Sequence, residues 1–147
     1  MKNKRLSSIK RITFMGVLIS VLLFSFSSCA VNSKFLDSSV VPAAEGKVKV
    51  TRDKNQNFNI QVRVVGLAEV ERLQTNKNNY MVWMVTDQGK TENLGLLKSS
   101  GSMFSKKREA SLETLSSYKP SRIFITAEEN TNVEVPSEEV ILTTDNF

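Results

Sequence analysis

From Gly46 to Thr143 the apolar residues recur mainly with period two, and that spacing commits a chain to β-strands. Phe58-Asn59-Ile60-Gln61-Val62-Arg63-Val64 is the cleanest instance. Phe58, Ile60, Val62 and Val64 share one face, and Asn59, Gln61 and Arg63 share the other. Lys47-Val48-Lys49-Val50-Thr51 alternates likewise. Between the two runs, Asp53-Lys54-Asn55-Gln56 is polar and turn-forming, which predicts a hairpin. Gly66-Leu67 ends the second strand, and a short helical turn is expected around residues 69–73. Tyr80-Met81-Val82-Trp83-Met84-Val85-Thr86 is apolar on both faces, the mark of a central strand covered from both sides. Asp87 to Lys90 predicts a tight turn, residues 93–98 a return strand broken by Gly95, and Ser99-Ser100-Gly101 another turn. Shorter strands are expected at 102–106 and 109–115. Apolar strands are expected at 122–127 and 139–143, with Pro120 and Pro136 in connections. About seven short strands without a long amphipathic helix specify an all-β fold, an antiparallel β-sandwich of immunoglobulin-like architecture. The Cys…Trp…Cys spacing of antibody domains is absent, so only the general architecture follows.

The N-terminus has a different character. Residues 1–28 carry Lys2, Lys4, Arg5, Lys10 and Arg11 and no acid. Ile12 to Phe26 is a run dominated by Ile, Phe, Met, Val and Leu; its 15 residues suit the apolar region of a signal peptide and fall short of a bilayer span. Positive charge stays cytoplasmic, so the C-terminal part is directed outward. Phe26-Ser27-Ser28-Cys29 resembles the lipobox of bacterial lipoproteins, in its Ser-rich form that of Bacteroidetes lipoproteins; Phe26 departs from the preferred Leu. The resemblance implies cleavage between Ser28 and Cys29, and a diacylglyceryl group on the Cys29 thiol with further acylation of the new amine. Two or three acyl chains hold a protein firmly where one does not, because each buried CH₂ contributes about 0.8 kcal/mol. No Asp follows Cys29, and no acidic run follows it either. The expected location is therefore the cell envelope, lipid-anchored in the outer membrane and facing the periplasm. Residues 29–45 are expected to be the lipidated Cys and a flexible linker, about 20–25 Å long as a coil. Within it, Val40, Val41 and Pro42 are candidates to dock as an edge strand. Residues 46–147 are expected to be the β-sandwich domain.

Charge and composition narrow the function. The chain has 20 Lys+Arg and 15 Asp+Glu, but the surplus lies in residues 1–28; from Cys29 onward the formal net charge is zero. A nucleic-acid partner needs a surplus of Lys and Arg, so none is expected. Lys106-Lys107-Arg108 reads as a solvated strand face or loop. There is no His, which removes His-based acid–base chemistry and His ligation. The single Cys makes no internal disulfide or thiolate metal cage. No GxSxG, Gly-rich phosphate loop or Asp-rich calcium loop occurs. Neither enzyme, metal nor cofactor is expected.

The order of landmarks in the body resembles the extracytoplasmic domain of RskA-type anti-sigma factors. They are Gly66-Leu67, Tyr80 to Trp83, the Asp87 to Gly89 turn, Leu94-Gly95, Thr126-Ala127-Glu128, and Pro136 before Val140-Ile141-Leu142. The family's Glu-Pro-x-Gly-Gly stretch departs here to Glu128-Glu129-Asn130-Thr131-Asn132. The resemblance implies a β-domain outside the cytoplasm. It does not carry over the family's cytoplasmic sigma-binding half, whose zinc-ligand His and Cys have no counterpart in this chain.

Few residues present themselves as a site beyond Cys29. Tyr80 and Trp83 stand three apart on one strand and so face opposite sides. Trp83 is assigned to the core and Tyr80 to the surface, where its ring would stack on a sugar or peptide. Glu128 and Glu129 are adjacent and point apart, which prevents them from working as a paired acid and base. The expected role is a lipid-anchored, non-catalytic interaction module for an envelope protein or glycan. Two alternatives stand beside it: a regulatory ectodomain of an envelope-stress pathway, and a small-ligand carrier or hydrolase.

Overall fold

A computed structural model describes residues 30–70, 73, 76–100 and 109–147. Within them the chain is an antiparallel β-sandwich. The strands are β1 (Val31–Lys34), β2 (Glu45–Arg52), β3 (Phe58–Val65), β4 (Asn79–Thr86), β5 (Thr91–Leu96), β6 (Lys98–Ser100), β7 (Glu109–Ser116), β8 (Pro120–Glu128) and β9 (Val140–Thr143). One sheet has the order β1-β2-β3-β7-β6, the other β5-β4-β8-β9, and every pairing is antiparallel.

Alternation sets the register. In the five-stranded sheet Val48 pairs with Val62, Val50 with Ile60, Val62 with Leu112 and Val64 with Ala110. These residues face inward and are buried or partly buried. In the four-stranded sheet Tyr80, Val82 and Met84 of β4 and Ile123, Ile125 and Ala127 of β8 belong to the same core cluster. Met81, Trp83 and Phe124 form a second buried cluster, with Val85, Leu96 and Val133 packed on it. Both faces of β4 are therefore covered, one by the other sheet and one by the segment between β8 and β9, as its uninterrupted apolar run requires.

Two of the predicted turns form. Asn57 N–H donates to Asp53 Oδ1 at 2.8 Å and closes the β2–β3 hairpin. Gly89 N–H donates to the Thr86 carbonyl at 2.9 Å and closes the β4–β5 turn, with Gly89 at φ 77°. Within the stretch where a short helical turn is expected, Leu73 N–H donates to the Val70 carbonyl at 3.0 Å, and residues 71–72 lie outside the described residues. The chain changes sheets between β5 and β6. There Gly95 adopts φ 123°, β5 bulges at Leu94 opposite Val82 and Trp83, and Leu97 N–H donates to the Tyr80 carbonyl at 2.8 Å.

Three expectations are corrected. Ser99 and Ser100 lie in β6, not in a turn, because their backbone pairs with Ala110 and Glu109. Pro120 is the first residue of β8, a strand position where its missing N–H breaks no ladder bond. The largest change concerns the linker: residues 31–44 are built into the sandwich, so the domain begins by Val31 instead of at Gly46. Val31–Lys34 pairs with Lys47–Val50 as the edge strand. Phe35 N–H then bonds Gly46 O at 3.0 Å and Leu36 N–H bonds Thr143 O at 2.8 Å, so the segment ties one sheet to the other. Phe35, Val41 and Ala44 are buried in the core. Ser38 Oγ donates to the Ile141 carbonyl at 2.5 Å and accepts from Val41 N–H at 2.9 Å. The sequence hides this because a four-residue edge strand with mostly exposed side chains carries no usable period.

Candidate interaction surface

The residues singled out in the sequence have different fates. Ser28 and Cys29 lie outside the described residues, as do the strand expected at 102–106 and Lys106-Lys107-Arg108. Tyr80 is not a surface ring. It is 7% exposed, packs in the inter-sheet core, and its hydroxyl donates to the Ala68 carbonyl at 3.2 Å. Tyr80 and Trp83 do face opposite sides of β4, but both sides are covered, so Trp83 is fully buried and Tyr80 nearly so. Glu128 and Glu129 part as expected, Glu128 buried and Glu129 exposed.

Glu128 organises a buried polar chain on the outer side of the four-stranded sheet. Trp83 Nε1–H donates to Thr126 Oγ1 at 2.8 Å, and the Thr126 hydroxyl donates to Glu128 Oε1 at 2.6 Å. The next partners come from the segment between β8 and β9. Ser137 N–H reaches Glu128 Oε1 at 2.8 Å and Ser137 Oγ reaches Oε2 at 2.6 Å. Lys77 Nζ lies 3.8 Å from Oε2 and donates to Ser137 Oγ at 3.0 Å. Burial pushes the Glu128 carboxyl up, but the Ser137 N–H and hydroxyl, the Thr126 hydroxyl and the Lys77 ammonium together hold it below the ordinary carboxylate value. A carboxylate so surrounded is a poor proton acceptor. Its work is to fasten the 129–139 segment over Trp83, which also stacks on Phe124 at 6.3 Å between centroids. Asn93 Nδ2 adds a bond to the Val133 carbonyl at 2.8 Å.

The opposite outer surface is different in kind. On the five-stranded sheet the outward row across β1, β2 and β3 is Lys34–Lys47–Arg63, each in direct register with the next. Arg63 pairs onward with Ser111 of β7, and Ser111 with Lys98 of β6. The neighbouring row is Asn32–Lys49–Gln61–Glu113. Lys34, Lys47, Lys49, Arg63 and Lys98 are all exposed. Directly opposed side chains have Cβ atoms about 5 Å apart, and like charges so placed cost a few tenths to about 1 kcal/mol per pair. Among the described residues the ion pairs are Lys77–Glu128 and Lys90–Glu92, and neither relieves this row. Carboxylates flank the row on both sides: Glu45 and Glu109, each in register with Val65, and Glu113 in the Lys49–Gln61 row. The Asn59 and Gln61 amides, each at 3.0 Å, hold the Glu113 carboxyl below the usual carboxylate range, with a smaller contribution from Arg63.

The surface is gently hollowed. A depression of about 350 Å³ is lined by Lys34, Lys47, Lys49, Gln61 and Arg63 among others, and an adjoining one of about 610 Å³ by Phe35, Asp37, Gly46 and Val65 among others. A third cleft, about 440 Å³, opens between the sheets beside Leu67, Tyr80 and Leu97. Among the described residues no cluster of His, Cys, Asp and Glu is arranged to hold a metal ion. The cationic row was not legible in the sequence: Lys34, Lys47 and Arg63 are 13 and 16 positions apart, and only the register joins them. No protein-family model, curated protein or solved structure matches the chain.

Proposed function

We propose that this chain is a lipid-anchored protein of the bacterial cell envelope, whose sandwich is a non-catalytic interaction module working at the membrane surface. The observation that carries the reading is the position of Cys29. It closes the run Phe26-Ser27-Ser28-Cys29 at the end of an apolar stretch, and a folded domain starts only two residues later, at Val31. Acyl chains on Cys29 would enter the bilayer while β1 stays in water, which is the arrangement a thiol anchor needs. The sandwich adds a cationic face and open clefts, features suited to binding an envelope protein, a glycan or the membrane itself.

A second reading, a regulatory ectodomain in an envelope-stress pathway, draws support from where the RskA-like landmarks fall. Gly66-Leu67 follows β3, Tyr80 to Trp83 fills β4, Leu94-Gly95 sits in β5, and Pro136 precedes β9. Cross-linking in native cells separates the two readings. Capture of a membrane-spanning sigma-pathway component favours the second; capture of another envelope protein or a glycan favours the first.

The anchor is tested by fatty-acid labelling of cells producing the wild type or Cys29→Ser. Wild type takes up label and partitions into detergent, whereas Cys29→Ser stays unlabelled and retains residues 1–28. Normal processing and labelling of Cys29→Ser would overturn the reading.

A further inference from the structure

We propose that the outer face of the five-stranded sheet docks on an anionic phospholipid bilayer, with Lys34, Lys47, Lys49 and Arg63 as its contact residues. Its placement in the cell rests on the anchor reading above; the charge argument does not.

Three observations converge. The first is the register: three cations stand side by side across three strands, with a fourth, Lys49, in the adjoining row. Within the row the opposed like charges repel, which does not favour folding. A plane of phosphate groups turns the repulsion into attraction, and a sheet face exposes its cations together to such a plane.

The second is charge segregation. The chain from Cys29 onward is neutral in sum, yet Glu128 to Glu139 holds Glu128, Glu129, Glu134, Glu138 and Glu139 and no Lys or Arg. That segment covers the outer side of the four-stranded sheet, through Val133 on the Trp83 cluster and Ser137 on Glu128. The outer face of the five-stranded sheet carries Lys34, Lys47, Lys49, Arg63 and Lys98 against Glu45, Glu109 and Glu113, so its net charge is positive and its cations gather on β1–β3. The segment over the other sheet is acidic, and an anionic surface would turn the β1–β3 side toward itself.

The third is distance. Only Ala30 separates Val31 from Cys29, at most about 7 Å of chain, and Lys34 is within about 18 Å. Because residues 31–44 are folded, an anchored Cys29 holds β1 beside the headgroups and does not let the domain hang free. Anchoring raises the local concentration of headgroups, so attractions of about five-fold per basic residue suffice to fix the orientation.

The test uses the full chain as cells make it, incorporated into vesicles of pure phosphatidylcholine or of phosphatidylcholine with phosphatidylglycerol. Lysine acylation by an amine-reactive reagent is read by mass spectrometry. Lys34, Lys47 and Lys49 should react at least about ten-fold more slowly on the anionic vesicles at low salt. Lys54 and Lys90, in turns off this face, should react equally on both. The protection should vanish near 1 M salt, where the screening length is about 3 Å. Lys47→Glu with Arg63→Glu should remove protection from Lys34 and Lys49 while the far-UV circular dichroism stays unchanged, and Lys47→Arg should keep it. Equal reactivity on the two vesicle types, or protection that survives the double charge reversal in a folded protein, overturns the proposal. Absence of acyl chains on Cys29 would refute the anchor alone. The footprint is then read on chain co-sedimented with the same vesicles, and failure to co-sediment with the anionic ones overturns the docking claim.

Discussion

Replacing Thr126 by Val removes one oxygen from a place where two bonds meet. The hydroxyl accepts from Trp83 Nε1–H at 2.8 Å and donates to Glu128 Oε1 at 2.6 Å. Val keeps the shape and the β-branch, so packing around this fully buried position changes little. The Trp83 residue is fully buried, and its N–H left without an acceptor costs about 1–3 kcal/mol. The lost charge-assisted bond to Glu128 costs about 1.5–3 kcal/mol more. The two share one hydroxyl and do not simply add, so we expect about 3–4 kcal/mol at pH 7. Urea denaturation reads it directly, because Trp83 is the only tryptophan and reports the transition by fluorescence. Acid supplies a second arm. The Glu128 carboxyl is held below its ordinary value in the folded state, so its contribution is complete above the unfolded value, about 4.3, and is lost as pH falls through the folded one. The gap between wild type and Thr126→Val should therefore narrow in acid toward the tryptophan share alone. A cost below about 1 kcal/mol at pH 7, or a gap that does not change in acid, would refute the reasoning.

Other perturbations test the frame. Gly66 sits at φ 74° with an added Cβ only 2.1 Å from the Ala43 carbonyl oxygen, whereas Gly89 at φ 77° has open space. Gly66→Ala should cost more than about 4 kcal/mol and Gly89→Ala about 1–2 kcal/mol in the same urea assay. A fragment starting at Gly46 loses β1 and the buried Phe35, Val41 and Ala44, of which Phe35 alone carries about 3–5 kcal/mol. It should fail to show a cooperative transition and should aggregate through the bared edge of β2, while a fragment starting at Ala30 unfolds cooperatively. Tyr80→Ala should destabilise by about 3–5 kcal/mol, as a core truncation does and a surface one does not.

The sequence was most readable where burial is one-sided or complete. Phe58 to Val64 alternates because one face of β3 meets the core and the other meets water. Tyr80 to Thr86 runs apolar because both its faces are covered. What covers the second face was not readable: the 129–139 segment has few apolar residues, and it is held by a carboxylate network that joins residues 77, 83, 126, 128 and 137 only after folding. The same limit hid the true surroundings of Tyr80, since a strand pattern gives the side a ring faces but not what lies there. Residues 31–44 looked like a tether because their contacts are backbone bonds and isolated apolar insertions, which leave no period. The cationic row is likewise a product of register: along the chain its members alternate with apolar residues like any solvated strand face.

The central claim is that Cys29 is a lipid anchor from which the sandwich begins almost at once. Intact-mass measurement on protein isolated from its natural membrane tests it most directly. The account predicts a polypeptide of residues 29–147 carrying the added mass of a diacylglyceryl group, and of an amine-linked fatty acid where the new amine is acylated. A mass corresponding to a retained Met1 with no fatty acid would contradict it.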